Sequence, residues 1–159
     1  RLHRKIDSFT DTHVHVKALR TLFPKSIRRM SGVVIDIYFD HLLCAHWDRF
    51  SEPALDKLLG HFYTEIHDYS NHISDRFTQV RHGLLTYRWL TDYQHSENCE
   101  RSFLQIEKRL TNRVIFAHEA MQFIQQNESE LQARFLDFYP ELIEFSHAKV
   151  AELRMLTER

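Results

Sequence analysis

Turn-forming residues are nearly absent from this chain, with three Gly and three Pro among 159 residues. Soluble proteins average roughly 12% for these two residues together. Sandwiches, barrels and dinucleotide-binding α/β folds need tight turns or glycine-rich loops at short intervals, which six such residues cannot supply. Long helices need far fewer of them. Disorder is excluded from the other side, because 43% of residues are hydrophobic and 13% aromatic, twelve of them Phe, and such a composition buries itself. The length suits one core. The expectation is therefore all-α: a single-domain helical bundle over residues 1–159.

Helical periodicity sets the expected elements. A first piece carries Leu2, Ile6 and Phe9 on one side. Thr10 or Asp11 is a candidate cap for a second stretch that reaches Phe23 and is ended by Pro24. A third helix is expected from Gly32 to Phe50, and a fourth from Ser51-Glu52-Pro53 with Leu55, Leu58, Leu59, Phe62, Tyr63 and Ile66 on one face. Ser74 and Asp75 are candidate caps for a helix through Val80, Leu84, Leu85 and Trp89. Helices over 97–110 and 113–126 follow, and then a last long helix opened by Asn127–Ser129 and interrupted near Pro140. Cys44 and Cys99 lack disulfide or metal-site spacing, and no apolar run approaches a membrane span. The expectation is a soluble, cytoplasmic protein. The chain opens on Arg1 rather than Met, so an N-terminal piece is expected to precede it.

The net charge of −1 conceals an asymmetry. Residues 1–30 carry eight Lys/Arg against Asp7 and Asp11, a balance of +6. Residues 31–100 carry five basic and eleven acidic residues, a balance of −6. A basic end on a near-neutral protein suits an acidic partner better than nucleic acid, for which no binding motif is present. Without other information the alternative is a solvated basic face with no partner.

Residues 33–47 break the amphipathic rule. Apolar side chains point in nearly every direction, which predicts a central, buried helix, yet Asp36 and Asp40 stand four apart on one face with His41 beside them. Buried carboxylates need compensation. Two solutions stand open on residue types alone. Arg4, Arg28 or Arg29 can pair with the acids, or a metal ion can. The first segment offers a matching stripe for the second solution, with His3, Asp7 and Asp11 at intervals of four. Imidazole and carboxylate together suit Mn, Fe, Zn or Mg rather than a thiolate-loving metal. Cys44 reads as a packing residue. His13 and His15, two apart, read as surface residues, and His61, His67 and His72 as solvated.

The same residues carry a resemblance. His3-Arg4-Lys5-Ile6-Asp7 followed by Thr10-Asp11 resembles the H-R-x-I-D-x-x-T-D segment of the acyl carrier protein phosphodiesterase family. Arg28-Arg29, Ile35-Asp36, Tyr38-Phe39-Asp40-His41-x-Leu43 and His46-Trp47 resemble its next block in order and spacing. Trp89-Leu90-x-x-Tyr93 and Phe135-Leu136-x-Phe138-Tyr139-Pro140 are similar to its C-terminal landmarks. The resemblance implies an HD-domain-like helical phosphohydrolase. It would release 4′-phosphopantetheine from the serine of holo acyl carrier protein, with Mn²⁺ or Mg²⁺ required. It carries His3, Asp7, Asp36, Asp40 and His41 over as metal-site candidates, with Asp7, Asp40 and His41 as catalytic candidates and Arg4 and Arg29 holding phosphate. Lys17, Arg20, Lys25, Arg28 and Arg29 would form the docking patch for the acidic carrier. Two departures go with it: the doublet here runs Asp40-His41 rather than His-Asp, and a family segment with further His and Gly-Asp motifs is expected upstream of His3. Two other readings stay in view, a catalytically silent module that binds an acidic protein, and a related hydrolase of a small phosphorylated metabolite.

Overall fold

The computed structural model describes residues 2–69, 78, 81–82, 85 and 95–157, and all regular structure among them is helical. The chain runs through α1 (Leu2–Thr12) and α2 (Val14–Leu22), then a 3-10 turn at Arg28–Met30 that feeds α3 (Ser31–Ala45). After a second 3-10 turn at Trp47–Arg49 come α4 (Leu55–Asp68), α5 (Glu97–Arg109) and α6 (Ala117–Thr157). The expected helix through Val80, Leu84 and Trp89, its caps Ser74 and Asp75, and the Trp89-Leu90-x-x-Tyr93 landmark lie outside the described residues.

Three local expectations need correction. The break between α1 and α2 falls on His13, whose backbone is extended (φ −65°, ψ 141°), rather than at a Thr10 or Asp11 cap. The break turns the His13 ring inward, against Phe9 and Phe138 at 5.0 and 4.9 Å between centroids. His13 is only 8% exposed and its Nε2 donates to Glu141 at 3.2 Å, so it belongs to the interior and not to the surface. His15 is half-buried and accepts from Arg134 Nη1 at 3.3 Å. Secondly, α3 ends at Ala45, because the chain tightens into the 3-10 turn before Phe50. Phe50 then packs edge-on against Phe135 and Tyr139. Thirdly, Pro140 does not interrupt the last helix. Its own ring is exposed, and the helix continues through it at the loss of one backbone hydrogen bond. The expected opening of the last helix at Asn127–Ser129 is matched by a kink at Asn127 (φ −120°, ψ 17°), whose side-chain amide donates to the Phe123 carbonyl at 2.8 Å.

The spine of the core is α6 rather than α3. Ala120, Phe123, Ile124, Leu131, Phe135 and Phe138 of α6 meet Val16 and Leu19 of α2, Val34, Ile35, Tyr38, Phe39 and Leu42 of α3, and Cys99 and Phe103 of α5 in one contiguous cluster. Phe23, just past α2, sits 3.9 Å from Phe123 between ring centroids. Thus α3 has one buried stripe. Its other stripe, positions 33, 36, 37, 40, 41 and 44, is half-buried or exposed.

A chain short of glycine makes its sharpest reversal without any. Thr111 and Asn112 both adopt left-handed backbone (φ 54° and 55°), and the Asn112 N–H closes on the Glu107 carbonyl at 2.8 Å. The same glutamate anchors the start of α6. Its buried Oε1 accepts from the Phe116 and Ala117 N–H groups, both at 2.6 Å. Those two donors have no helical partner of their own. Glu107→Ala should therefore lower unfolding stability by ~3 kcal/mol, since two charge-assisted bonds vanish and both donors stay buried. The urea midpoint of the variant measures it, and Glu107→Gln should lose less.

Candidate active site

The open stripe of α3 presents Asp36 and Asp40 between the half-buried Val33, Ile37 and Cys44. Both carboxylates keep contact with solvent, so the expectation of fully buried acids fails. Their apolar flanks still remove enough water to disfavour charge. Partial burial raises the Asp36 pKa, Asp11 and Asp7 add to the rise, and Arg20 opposes it. Asp40 is pushed up to about 6, by burial first and by Asp36 second. The field of Asp40 spreads further. It helps raise Cys44 to about 11 and Cys99 to about 12, burial being the larger cause in each. Neither thiol is a candidate nucleophile.

Two helices thus contribute acids to one negative region. Asp7 and Asp11 come from α1, one turn apart, and Asp36 and Asp40 from α3, also one turn apart. Between them stands Arg20 of α2, whose Nη2 donates to Asp11 Oδ1 at 2.6 Å. His3 Nδ1 donates to Asp7 Oδ2 at 2.7 Å across one exposed turn of α1. His41 is half-buried on α3 with its ring 5.4 Å from that of Tyr38.

The cation beside Asp36 is Arg20, not Arg4, Arg28 or Arg29. Arg28 instead donates through Nε and Nη2 to the Phe23 carbonyl, at 3.2 and 2.9 Å, and holds the turn before α3. Arg4 lines a groove between α1 and α6 with Lys5, Ser8, Phe9, Phe145 and Lys149. Arg29 is exposed on the 3-10 turn, and Lys17 and Lys25 are exposed around α2. Hence two of the five expected docking cations, Arg20 and Arg28, have internal partners. His61 and His67 pair with Glu65 and Asp68 on the exposed side of α4, as solvated residues do. His72 lies outside the described residues.

Among the described residues no three His, Cys, Asp or Glu side chains converge closely enough to cage a metal ion. The donors are nevertheless oxygen-rich and short of positive charge. Mg²⁺ and similar hard ions are commonly held by one or two carboxylates, with water and substrate phosphate completing the shell. Asp36 and Asp40 fit that open kind of site and do not fit a closed one.

An all-helical scaffold with two carboxylates one turn apart on each of two helices defines a helical protein with an acidic candidate site. The family model for acyl carrier protein phosphodiesterase matches residues 1–142. Proteins named acyl carrier protein phosphodiesterase are similar over most of the chain. That of Yersinia pestis is 32% identical over 89% of this chain and 74% of its own length. That of Photorhabdus laumondii is 29% identical over 94% and 75%, and that of Klebsiella pneumoniae strain 342 is 27% identical over 93% and 77%. No solved structure matches significantly. The chain belongs to the acyl carrier protein phosphodiesterase family.

Proposed function

We propose that this chain hydrolyses the phosphodiester joining 4′-phosphopantetheine to a serine of holo acyl carrier protein, releasing apo carrier and the free prosthetic group. Family membership supports the substrate class. The observation that carries the chemistry is the pair Asp36 and Asp40, one turn apart on the open face of α3, with Asp40 pushed up to about 6. A bound cation relieves such like-charge crowding, which makes the pair a candidate site.

Mn²⁺ or Mg²⁺ is the ion we propose, with Asp36 and Asp40 as its principal holders and Asp7, His3 and His41 as the further donor set. Bound there, such an ion supplies Lewis-acid polarisation of a phosphoryl oxygen and a more acidic water. The chain's own groups do the rest. Asp7, fixed by the 2.7 Å hydrogen bond from His3, is placed to accept a proton from water. Arg4 and Arg29 can pair with non-bridging phosphate oxygens in a planar geometry that Lys cannot copy. Lys17, Lys25 and Arg29 give the acidic carrier an electrostatic landing surface, with Val14 and Leu22 exposed on the same side of α2. Among the described residues no helix is long and apolar enough to cross a membrane, and the partner we propose is the carrier protein alone.

Incubation with holo acyl carrier protein and Mn²⁺, followed by intact-mass analysis of the carrier, tests the reading. Conversion to the apo mass is the expected result. An unchanged carrier mass with metal present overturns it.

A further inference from the structure

We infer that Arg20 is a positioning residue: its guanidinium, laid over the Gly32 backbone, ties Asp11 of α1 to the turn of α3 that leads to Asp36. The role rests on reading these acids as part of the catalytic site, and it takes Arg20 out of the docking surface.

Four observations support it. Arg20 Nη2 is 2.6 Å from Asp11 Oδ1, an ion pair between α2 and α1. On its other side the guanidinium crosses the first turn of α3 so closely that a β-carbon on Gly32 would stand 3.1 Å from Nη2 and 3.8 Å from Cζ. Glycine at position 32 is therefore the seat of the guanidinium, and the backbone there is ordinary helix. Arg20 is also the cation whose charge acts on Asp36. Finally, the Arg20 Nε is buried without a hydrogen-bond partner among the described residues, so the base of the guanidinium lies against the protein while its tip reaches Asp11.

This arrangement answers a mechanical need. The α1 helix has no fully buried residue and packs mainly on α6 and α2, whereas α3 is held by the central core. Their packing relates α1 to α3 mainly through α6 and α2. Arg20 adds a direct tie between Asp11 and the first turn of α3, and its charge offsets the repulsion between the Asp7–Asp11 and Asp36–Asp40 stripes.

Gly32→Ala is the informative variant, because it keeps every charge and improves helix propensity, yet crowds the guanidinium by a few tenths of an ångström. With holo carrier and Mn²⁺, Arg20→Gln should lower kcat about tenfold or more, and Gly32→Ala should lower it measurably but less, as misplacement of reacting groups does. KM for the carrier should stay within about twofold, and Arg20→Lys should retain more activity than Arg20→Gln. A raised KM with kcat intact would assign Arg20 to docking and overturn the inference, as would wild-type kinetics in Gly32→Ala. A second arm needs no activity. The urea midpoints of Arg20→Gln, Asp11→Asn and the double variant should be non-additive, and the coupling should shrink in the Gly32→Ala background. Additive midpoints overturn the clamp. Should the wild-type chain leave the carrier intact, the functional reading falls while this cycle still decides whether Arg20 joins the two helices.

Discussion

Asp40→Asn is expected to reduce carrier hydrolysis about a hundredfold or more and at the same time to make the metal-free protein more stable at neutral pH. The sign follows from linkage. The Asp40 carboxyl titrates at about 6 in the folded protein, against its ordinary value of 3.8. Between those values the folded state holds the proton more often than the unfolded state, so stability falls as pH rises from about 4 to about 6. Above that window the whole penalty is present, and below it none remains. The carboxyl is partly exposed, so solvent screening reduces the penalty to ~1 kcal/mol. Asparagine removes it. Urea midpoints at pH 7.5 should favour the variant, and those at pH 3.5 should coincide. Mn²⁺ should raise the wild-type midpoint and leave that of the variant unmoved, because a ligand that binds only the folded state stabilises it by mass action. A variant less stable than wild type at pH 7.5 would make Asp40 a structural residue. An enzyme site that opposes folding is the usual trade between activity and stability.

Much of the fold was legible because helices announce themselves locally. The shortage of Gly and Pro removed the turn-rich folds, and the expected helix at 97–110 matches α5 within one residue. What escaped were features decided by distant packing. Residues 33–47 are apolar almost all round, and periodicity alone does not tell a helix enclosed on every side from one that keeps a partly apolar face open. The core side was taken by Phe-rich α6, which left Asp36 and Asp40 at an accessible edge. Pro140 is a breaker by local rules, yet the helix runs through it, whereas the break expected at Asn127 is present as a kink with a side-chain bond to the backbone. The site divides in the same way. Intervals of four revealed Asp36 with Asp40, and His3 with Asp7. The Arg20–Asp11 pair, nine residues apart, depends on the break at His13, whose buried ring no spacing rule foresaw.

Reversing charge on α2 should separate docking from chemistry. Lys17 on α2 and Lys25 just beyond it are exposed, as are Val14 and Leu22 of α2, at 67% and 46%. Lys17→Glu with Lys25→Glu should slow association with an acidic carrier about tenfold or more at low ionic strength. KM rises and kcat holds, because neither residue has a part in the proposed chemistry. The effect must depend on salt. The screening length falls from about 30 Å at 0.01 M to about 8 Å at 0.15 M, so the kinetic curves of wild type and variant should converge as salt is added. Leu22→Ser provides the contrast, since an apolar contact weakens binding by a factor that salt leaves nearly unchanged. Equal salt sensitivity in wild type and the double variant would place the carrier elsewhere, with the Arg4, Lys5 and Lys149 groove between α1 and α6 as the next surface to reverse. The internal pairing of Arg20 and Arg28 makes the comparison sharper. Of the five cations around this junction, those two are fixed to Asp11 and to the Phe23 carbonyl. Reversing either would disturb the site or the turn, whereas Lys17 and Lys25 report on the carrier alone.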